Sequence, residues 1–496
     1  MTNEQLRHCV YSLLTVATMA ALTARIANVE LVFEPNRYHG QQGDEPPDVA
    51  RRNWPKDRPA SMPTLSSNDR SRWCTVRALV DEGTWAIGHR TVHPDGTYQD
   101  EGIVFEDGWQ SIDRVKDPKT DNYYSSKPPL LSFLAACEYW LLKKAFGWGI
   151  TRDTNHVVKT ILVTFNVLPL VAYLWMLRRL LERFGQTDWG RLFAFTAGCF
   201  GTYITTFGVT LNNHTPAAVC TLGALFPILM AEGEPRRLSG IWPLPPAPSA
   251  GPLAISGLCT GLMFCLELPA LSLAVLLIAA LLLRDWRRTL IWFLPAALLP
   301  AFVQLALNYS AIGEIVPAYA KFGGNWYEYP GSHWLKPQPG EIKHGIDWAR
   351  QHESPAIYVV HLLVGHHGLF SLTPIWLLAF AGMITGTWGM IRRREKAAFL
   401  SPAALLVSLV VILFYLVESN NYGGHTSGLR WLIWLTPIWL LSLLPVADWL
   451  STRKWGRWLA YALLAISVFS ASFSEYNPWR HPWLFRLLES WGWVKY

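Results

Sequence analysis

The chain has 496 residues, of which 51% are hydrophobic and only 16% are charged. Soluble globular chains usually carry about 25% charged residues, and a membrane span needs roughly 20 apolar residues in a row. Several apolar blocks of this chain qualify. The composition therefore excludes an ordinary soluble domain and predicts an all-α polytopic membrane protein with about eleven transmembrane helices.

The net charge of +7 comes from short basic clusters that separate the apolar blocks. This distribution is the topology signal of a membrane protein, so no nucleic-acid partner is expected. The seven cysteines lie mostly inside apolar blocks and include no CxxC pair. They predict neither a disulfide framework nor a zinc site.

The first apolar block, residues 1–33, predicts the first transmembrane helix. A small-residue site at 21–27 leaves a cleaved signal peptide as the alternative, and both interpretations place the next segment outside the cytoplasm. That segment, 34–127, is polar. Its stretch 43–63 is charged and Pro-rich, which predicts a loop without a core of its own.

Within this long first loop, residues 68–82 predict an amphipathic helix. Apolar residues between Trp73 and Val80 recur at helical spacing on one face. We therefore expect the helix to lie along the membrane surface with that face in the interface. The motifs HPDG and EDGW are turn signals beside β-rich runs, and they predict two small hairpins before Lys127.

The remaining apolar blocks fall within residues 128–313 and 356–473 and predict the other transmembrane helices. Within the second of these, 358–390 is long enough for a loop helix followed by a span. A second extracytoplasmic loop (314–355) and an extracytoplasmic tail (474–496) complete the predicted organisation.

Basic clusters follow alternate spans, and with about eleven spans they all fall on one side, which the positive-inside rule makes the cytoplasm. The polar loops, the Asn-Asn-His turn at 212–214 and the glycine-rich turn at 420–430 then face the opposite compartment. We therefore expect an integral multi-pass membrane protein with these polar segments outside the cytoplasm.

Ionisable residues gather at the outer ends of the predicted spans. Such groups at membrane depth are costly and usually functional. The set pairs acids with cations, which suits a phosphate leaving group next to a carboxylate base. The candidates are Asp69, Arg72, Asp113, Lys127, His214, Glu267, His367, His425 and Arg430.

Structural roles are the alternative for most of these residues. Asp69 follows Ser66 in the S-x-x-D pattern of a capping box, and a cap alone explains it. Lys127 precedes two prolines, where its ammonium can snorkel to the interface. Ordinary turn or cap positions account equally for Asp113, Glu267 and His214.

The adjacent residues in the sequence decide how the His366–His367 pair and Arg430 are interpreted. His366 and His367 are adjacent in sequence, so a metal site made by that pair is not expected. Arg430 follows three glycines within 423–428, which free the backbone for close approach to a ligand. A planar guanidinium suits a phosphate.

Nucleotide-binding motifs are missing from the sequence. There is no Walker loop, no G-x-G-x-x-G and no H-E-x-x-H. The energy for any transfer must then come from an activated substrate that is already outside, and a lipid-linked phosphosugar meets that need.

These motifs resemble the membrane glycosyltransferases of the GT-C fold, above all the protein O-mannosyltransferases and the lipid A aminoarabinose transferases. Asn68-Asp69 stands at the position of their acidic pair, and Gly83–Trp85 stands where their surface helix ends. Residues 127–130 are the Lys-Pro-Pro-Leu of those families. Segments 365–376 and 422–437 are similar to Gly-Leu-Phe and Gly-x-Arg motifs of bacterial members.

The resemblance implies an inverting transfer from a polyprenyl-phosphate sugar to a hydroxyl of a lipid, glycan or protein acceptor, within the surrounding membrane lipids. By position Asp69 is the general base, a role worth typically about 10²- to 10⁴-fold in rate. Lys127 and Arg430 neutralise the departing phosphate. Asn68 departs from the family's acid, so Asp113 or Glu267 would supply a second carboxylate, and a divalent metal is left open.

Two other functions remain possible for the same residues. A transporter or flippase of a lipid-linked or phosphorylated substrate would use the same cations to hold a phosphate headgroup without catalysis. A structural subunit of a glycosylation complex would tolerate the loss of Asp69, Lys127 and Arg430 together.

Overall fold

The computed structural model describes residues 2–29, 31–32, 38–39, 52–53, 61–232, 236–238, 242–245, 248–393, 400–419 and 421–496. Most of the Pro-rich stretch 43–63 lies outside the described residues. The chain divides into two compact units. Unit 1 comprises Met1–Thr23, Phe165–Gln304 and Pro337–Tyr496, and unit 2 comprises Ala24–Thr164 and Leu305–Lys336.

Apolar helices dominate the described residues, and this confirms the predicted class of all-α polytopic membrane protein. The count of about eleven spans stays a prediction. By length and composition, the helices that can cross a membrane are Asn3–Asn28, Thr154–Phe184, Leu268–Ile312, Leu400–Glu418, Arg430–Ser451 and Lys454–Phe473. Shorter apolar helices are His214–Met230, Ala250–Leu266 and Ile375–Gly389.

Two long apolar runs are divided in the structure. The stretch 358–390 contains the helix Pro355–Leu363 and a separate helix Ile375–Arg393, as expected from its length. The run Leu268–Ile312 is bent at Asp285, whose backbone is not helical. The further helices are Ser67–Arg77, Pro129–Phe146, Asp188–Phe200, Ile204–Phe207, Ala349–His352, Leu369–Leu372 and Trp483–Ser490.

Unit 2 is built around the helix Ser67–Arg77. Ser66 caps its first turn in a capping box with Asp69, and a π-helical turn carries it on to Gly83. Gly83 has a φ of 68°, the left-handed conformation that favours glycine at a helix end. Every residue from Asn68 to Val76 is buried. We expected the apolar face of this helix to lie in the membrane interface, but other elements of unit 2 enclose both of its faces. Its position along the membrane surface stays a prediction.

A four-stranded antiparallel sheet forms the second part of unit 2. Its strands lie in the order Tyr98–Glu101, Gly88–Val92, Asn122–Ser125 and Arg114–Lys116. The two predicted hairpins are present and are joined along Gly88–Val92 and Asn122–Ser125 into one sheet. The core cluster Val115, Ala318, Trp326 and Tyr327 packs part of the second loop against it.

The turns of the two hairpins have different origins. The HPDG motif makes the first, where the His93 amide donates to the Thr97 carbonyl at 2.8 Å. The EDGW motif does not make the second, which instead turns at 117–121. There Asp117 accepts from the Lys119 amide at 2.8 Å, and Asp121 adopts a φ of 57°. Side-chain bonding at Asp117 replaces the glycine that the prediction relied on.

Unit 1 is a bundle of helices, two of which approach through glycines. A Cβ built on Gly257 would lie 2.2 Å from the carbonyl oxygen of Phe293, and one on Gly261 would lie 2.2 Å from that of Ala297. Only glycine fits at such distances, so the two backbones touch directly. Small residues at this spacing are the usual basis of close helix packing in membranes.

Candidate functional site

The helix Ser67–Arg77 fixes one end of the Asp113 segment. The Ser111 hydroxyl donates to the Ser67 carbonyl at 2.7 Å. The Ser71 hydroxyl donates to the Asp113 carbonyl at 2.5 Å and lies 2.6 Å from the Ser125 hydroxyl. These bonds hold the strand ends that carry Asp113 and Lys127 beside the helix.

Asp113 and Lys127 form an ion pair in unit 2. The Lys127 Nζ donates to Asp113 Oδ1 at 2.6 Å. The side chains are 15% and 17% exposed, respectively, so both charges are largely removed from water. Burial and the neighbouring Asp113 charge raise the pKa of Tyr327. Charged groups that are largely removed from water need such pairing.

Lys127 also lines a pocket of about 410 Å³ in unit 2. Part of the lining is polar and part is apolar and aromatic, a combination suited to an amphiphilic ligand. The lining residues are Thr75, Trp85, Tyr124, Ser125, Lys127, Pro129, Ser132, Asn308, Ala311, Ile312, Pro317, Ala318 and Tyr319.

Asp69 takes the capping role that the sequence left open. Its Oδ1 accepts from the Ser66 amide at 2.7 Å, and its Oδ2 accepts from the Leu65 amide at 2.9 Å. The residue is fully buried, and burial raises its pKa although these hydrogen bonds lower it. Arg72 is buried as well and donates to the Asn68 carbonyl and amide oxygens at 2.9 and 2.7 Å. The role of Asp69 as a base stays a prediction.

A second constellation lies in unit 1 and joins His214, Glu267 and Arg430. The Arg430 Nη1 lies 3.0 Å from His214 Nε2, and His214 Nδ1 is hydrogen-bonded to Glu267 Oε1. Because a guanidinium can only donate, His214 Nε2 is the acceptor and Nδ1 carries the proton. Asn213 donates to the same Glu267 oxygen at 2.7 Å. Glu267 thus orients the imidazole, and the imidazole orients Arg430.

The glycine-rich turn holds Arg430 from its other side. The Arg430 Nε donates to the Gly423 carbonyl at 3.3 Å. Gly423 has a φ of 96°, and a Cβ there would lie 3.3 Å from that Nε. Glycine is needed at this position for both reasons. The Arg430 guanidinium also lies 5.2 Å from the centre of the Trp479 ring, within cation–π range.

His367 and His425 belong to a histidine cluster of unit 1. His367 is fully buried, its Nδ1 lies 2.6 Å from His366 Nδ1, and burial lowers its pKa well below the usual range. His425 is exposed, with its ring 4.5 Å from that of His481. Burial lowers the pKa of His481 to about 3.

Glu353, the carboxylate of this cluster, was not among the site residues predicted from the sequence. Burial alone would raise the pKa of Glu353, but interactions with His366, Tyr422 and Tyr496 hold it below its usual range. Glu353, His361 and His366 offer ligand atoms within 4.8 Å of one another, so they could hold a metal ion. The run H-E-x₇-H-x₄-H-H (352–367) is the signal that would have drawn attention to them.

The predicted site residues thus form separate groups within the described chain. Asp113 and Lys127 meet in unit 2, where Asp69 and Arg72 belong to the adjoining helix. In unit 1 the structure brings together His214, Glu267 and Arg430, and it places His367 and His425 on either side of His481.

No protein-family model and no curated protein matches the chain. Among solved structures it is similar to the apo oligosaccharyltransferase of Archaeoglobus fulgidus, with 13% identity and a TM-score of 0.40 over 93% of this chain. It spans only 55% of that enzyme's length. It is also similar to ArnT from Cupriavidus metallidurans bound to undecaprenyl phosphate, with 13% identity and a TM-score of 0.44 over 95% of this chain and 76% of ArnT.

A further similar structure is the Archaeoglobus fulgidus AglB oligosaccharyltransferase in complex with an inhibitory peptide and a dolichol-phosphate. The identity is 12% and the TM-score 0.42, over 97% of this chain and 56% of AglB. Likenesses this distant do not carry an activity from one protein to another. The function of the chain is therefore argued from its own residues.

Proposed function

We propose that the protein is a membrane glycosyltransferase that moves a sugar from a polyprenyl-phosphate donor to a hydroxyl of a lipid, glycan or protein acceptor. The observation that carries the proposal is the ion pair between Asp113 and Lys127, because Lys127 lines a pocket with polar and apolar walls. A lipid phosphate needs a cation, and an acceptor hydroxyl needs a carboxylate base. The resemblance around Lys-Pro-Pro-Leu at 127–130 supports the polyprenyl donor.

The proposed reaction is a single displacement with inversion. The acceptor oxygen attacks the anomeric carbon while the bond from that carbon to the phosphate oxygen breaks. The acceptor's proton passes to a carboxylate, and polyprenyl phosphate leaves with both electrons of the broken bond. Lys127 stabilises the negative charge that develops on the phosphate, a contribution that is largest where water is excluded.

Of the two candidate bases, Asp113 fits this role better than Asp69. Each Asp69 oxygen already accepts a backbone hydrogen bond, and the residue is fully buried. The Asp113 side chain is 15% exposed and lies against Lys127, the cation proposed to hold the donor phosphate. In this assignment Asp69 and Arg72 shape the helix, and Asp113 receives the proton.

Arg430 is the second cation that we assign to substrate binding, together with His214, Glu267, His367 and His425. Its orientation by His214 and by the Gly423 carbonyl supports the assignment, because a guanidinium fixed in advance loses little freedom when it binds a phosphate. On the topology of the basic clusters we propose that the reaction takes place at the periplasmic face of a bacterial inner membrane.

The test uses the full chain in lipid nanodiscs with a panel of polyprenyl-phosphate hexoses and pentoses and a membrane extract as the acceptor source. The readout is release of polyprenyl phosphate. We expect Asp113→Asn to lower kcat by about 10²- to 10⁴-fold with little effect on donor binding. Lys127→Ala should weaken donor binding as well as kcat.

Two exposed residues of the same sheet region supply matched controls. Glu101→Gln and Lys119→Ala change the same charges at exposed positions and should leave turnover unchanged. Full turnover by Asp113→Asn would refute the assigned base. Donor binding by the wild type without any product, combined with movement of the donor across proteoliposome membranes, would replace the transferase with the transporter alternative.

A further inference from the structure

Glu353, His361 and His366 form a compact group at the helix Pro355–Leu363 of unit 1. Glu353 lies two residues before the helix, His361 lies in its last turn, and His366 follows it. Each offers one ligand atom, and these atoms lie within 4.8 Å of one another. The rings of His361 and His366 are stacked with their centres 4.0 Å apart.

The spacing of these atoms does not correspond to direct hydrogen bonds. Glu353 Oε1 lies 3.8 Å from the Nε2 of His361 and 3.8 Å from the Nε2 of His366. A hydrogen bond between nitrogen and oxygen is usually about 2.7–3.2 Å long. Two atoms bound tetrahedrally to one zinc ion, at about 2.0–2.2 Å each, lie about 3.3 Å apart. An inward movement of about half an ångström would bring each of the two nitrogen–oxygen pairs to that distance.

Partners for the ligands are already in place. The Tyr422 hydroxyl donates to Glu353 Oε2, while Oε1 is the oxygen on the side of the two imidazoles and accepts from Tyr496. When His366 Nε2 binds an ion, its Nδ1 must carry the proton, and His367 Nδ1 lies 2.6 Å away to accept it. Fully buried His367 has no partner for its Nε2 among the described residues. Metal-bound histidines typically make such a hydrogen bond through the other ring nitrogen.

We infer that Glu353, His361 and His366 bind one divalent transition-metal ion of the zinc type. Two imidazole nitrogens and one carboxylate oxygen suit zinc, whereas calcium and magnesium prefer sites made of oxygen alone. Tyr496 donates to Glu353 Oε1, and its hydroxyl lies 2.7 Å from His366 Nε2. Without metal the Tyr496 hydroxyl bridges Glu353 and His366, and it moves away from both when the ion binds.

The ion would also fix the turn that carries Arg430. Tyr422 links Glu353 to this turn, and the next residue, Gly423, accepts the hydrogen bond from Arg430 Nε. The Tyr422 ring is stacked on His367 with 5.0 Å between ring centres. A metal at Glu353 thus restrains Arg430 through Tyr422, whatever reaction the protein performs.

The test is zinc binding by the full chain purified in detergent. The protein is stripped with a chelator, and Zn²⁺ affinity is measured by competition with a chromophoric chelator, with bound metal counted by mass spectrometry. We expect one zinc ion per chain in the wild type and a higher thermal midpoint with zinc than without it. Tyr422→Phe should weaken zinc binding by about 10- to 100-fold.

Matched variants separate a metal site from a hydrogen-bonded cluster. His361→Ala and Glu353→Gln should lose the zinc ion, while His344→Ala, an exposed histidine of the same unit, should keep it. Tyr496→Phe keeps all three ligands and should bind zinc at least as tightly as the wild type. Equal zinc binding by the wild type and His361→Ala would overturn the inference, as would displacement of zinc by equimolar Mg²⁺.

Size-exclusion profiles and helical circular dichroism confirm that each variant is folded. If both ligand variants unfold, Co²⁺ loading of the folded wild type decides. The visible absorption of a four-coordinate Co²⁺ ion with nitrogen ligands supports the site, and the spectrum of hydrated Co²⁺ overturns it.

Discussion

Burying Asp69 removes a carboxylate from water, which costs free energy unless hydrogen bonds replace the lost hydration. The amides of Leu65 and Ser66 and the hydroxyl of Ser66 supply those bonds at 2.7–3.0 Å. They also align the first turn of the helix Ser67–Arg77, from which Ser71 holds the Asp113 carbonyl. Asp69 thereby helps to position Asp113 through the helix, without a direct contact between the two side chains being required.

Asp69→Asn tests this role at the scale of one side chain. The amide nitrogen that replaces one carboxylate oxygen cannot accept, so one buried amide hydrogen loses its partner. We expect a loss of about 1–3 kcal/mol of unfolding free energy, measured by thermal or denaturant unfolding. Glu101→Gln, which makes the same chemical change at an exposed position, should be neutral. Unchanged stability in Asp69→Asn would contradict the capping role.

The four-stranded sheet of unit 2 depends on a charge pair between neighbouring strands. Arg90 donates to both Asp100 oxygens, at 2.7 and 2.8 Å, and the Tyr123 hydroxyl donates to Asp100 at 2.8 Å. Burial alone would raise the pKa of Asp100, but these bonds hold it below its usual range. The pair also reaches the second loop, because Arg90 donates to the Pro330 carbonyl at 3.0 Å.

The Arg90–Asp100 pair predicts how the thermal stability of the protein changes in acid. A carboxylate whose pKa is lowered by folding contributes its stability above its ordinary pKa, near about 4, and loses it as the pH falls through the lower folded value. We expect Asp100→Asn to lower the thermal midpoint at pH 7, and the gap to the wild type to close below about pH 4. Glu101→Gln on the same strand serves as the control. A gap that persists in acid would show that charge is not the cause.

The elements differ in how far the sequence predicts them. Apolar length and bounding polar residues predict the span at 253–265, which the structure describes as Ala250–Leu266. The hairpin at 117–121 depends on side-chain bonds of Asp117 that no residue pattern announces. The burial of the helix Ser67–Arg77 on all sides depends on strands and on Pro129–Phe146 that pack around it, and an amphipathic pattern shows only its more apolar face.

For the candidate sites too, the sequence predicts individual residues but not the contacts between them. Residue type and motif predicted Asp113, Lys127, His214, Glu267 and Arg430 one by one. Their pairing depends on chain reversals that bring together residues separated by as many as 216 positions, as for His214 and Arg430. In the cluster around Glu353, the run at 352–367 marks the three ligating residues, but nothing in the sequence marks their partner Tyr496, 143 positions from Glu353.

At the scale of the whole molecule, the arrangement of basic clusters predicts which loops face the cytoplasm. His344 and Lys454 are both exposed. His344 lies in the predicted extracytoplasmic loop 314–355, and Lys454 belongs to a basic cluster predicted to face the cytoplasm. In a cysteine-free background, we expect a membrane-impermeant maleimide to label His344→Cys in spheroplasts and Lys454→Cys only after lysis. Labelling of both in spheroplasts, or of Lys454→Cys alone, would contradict the assigned orientation.

The contact through Gly257 and Gly261 has a practical consequence for protein engineering. The same helix carries Gly251, six residues before Gly257. An added Cβ would have no atom within 4 Å at Gly251, whereas at Gly257 it would meet the Phe293 carbonyl. A fluorophore, a crosslinker or a fused epitope can therefore be attached at Gly251 without disturbing the neighbouring helix. At Gly257 or Gly261 even a single methyl group is too large.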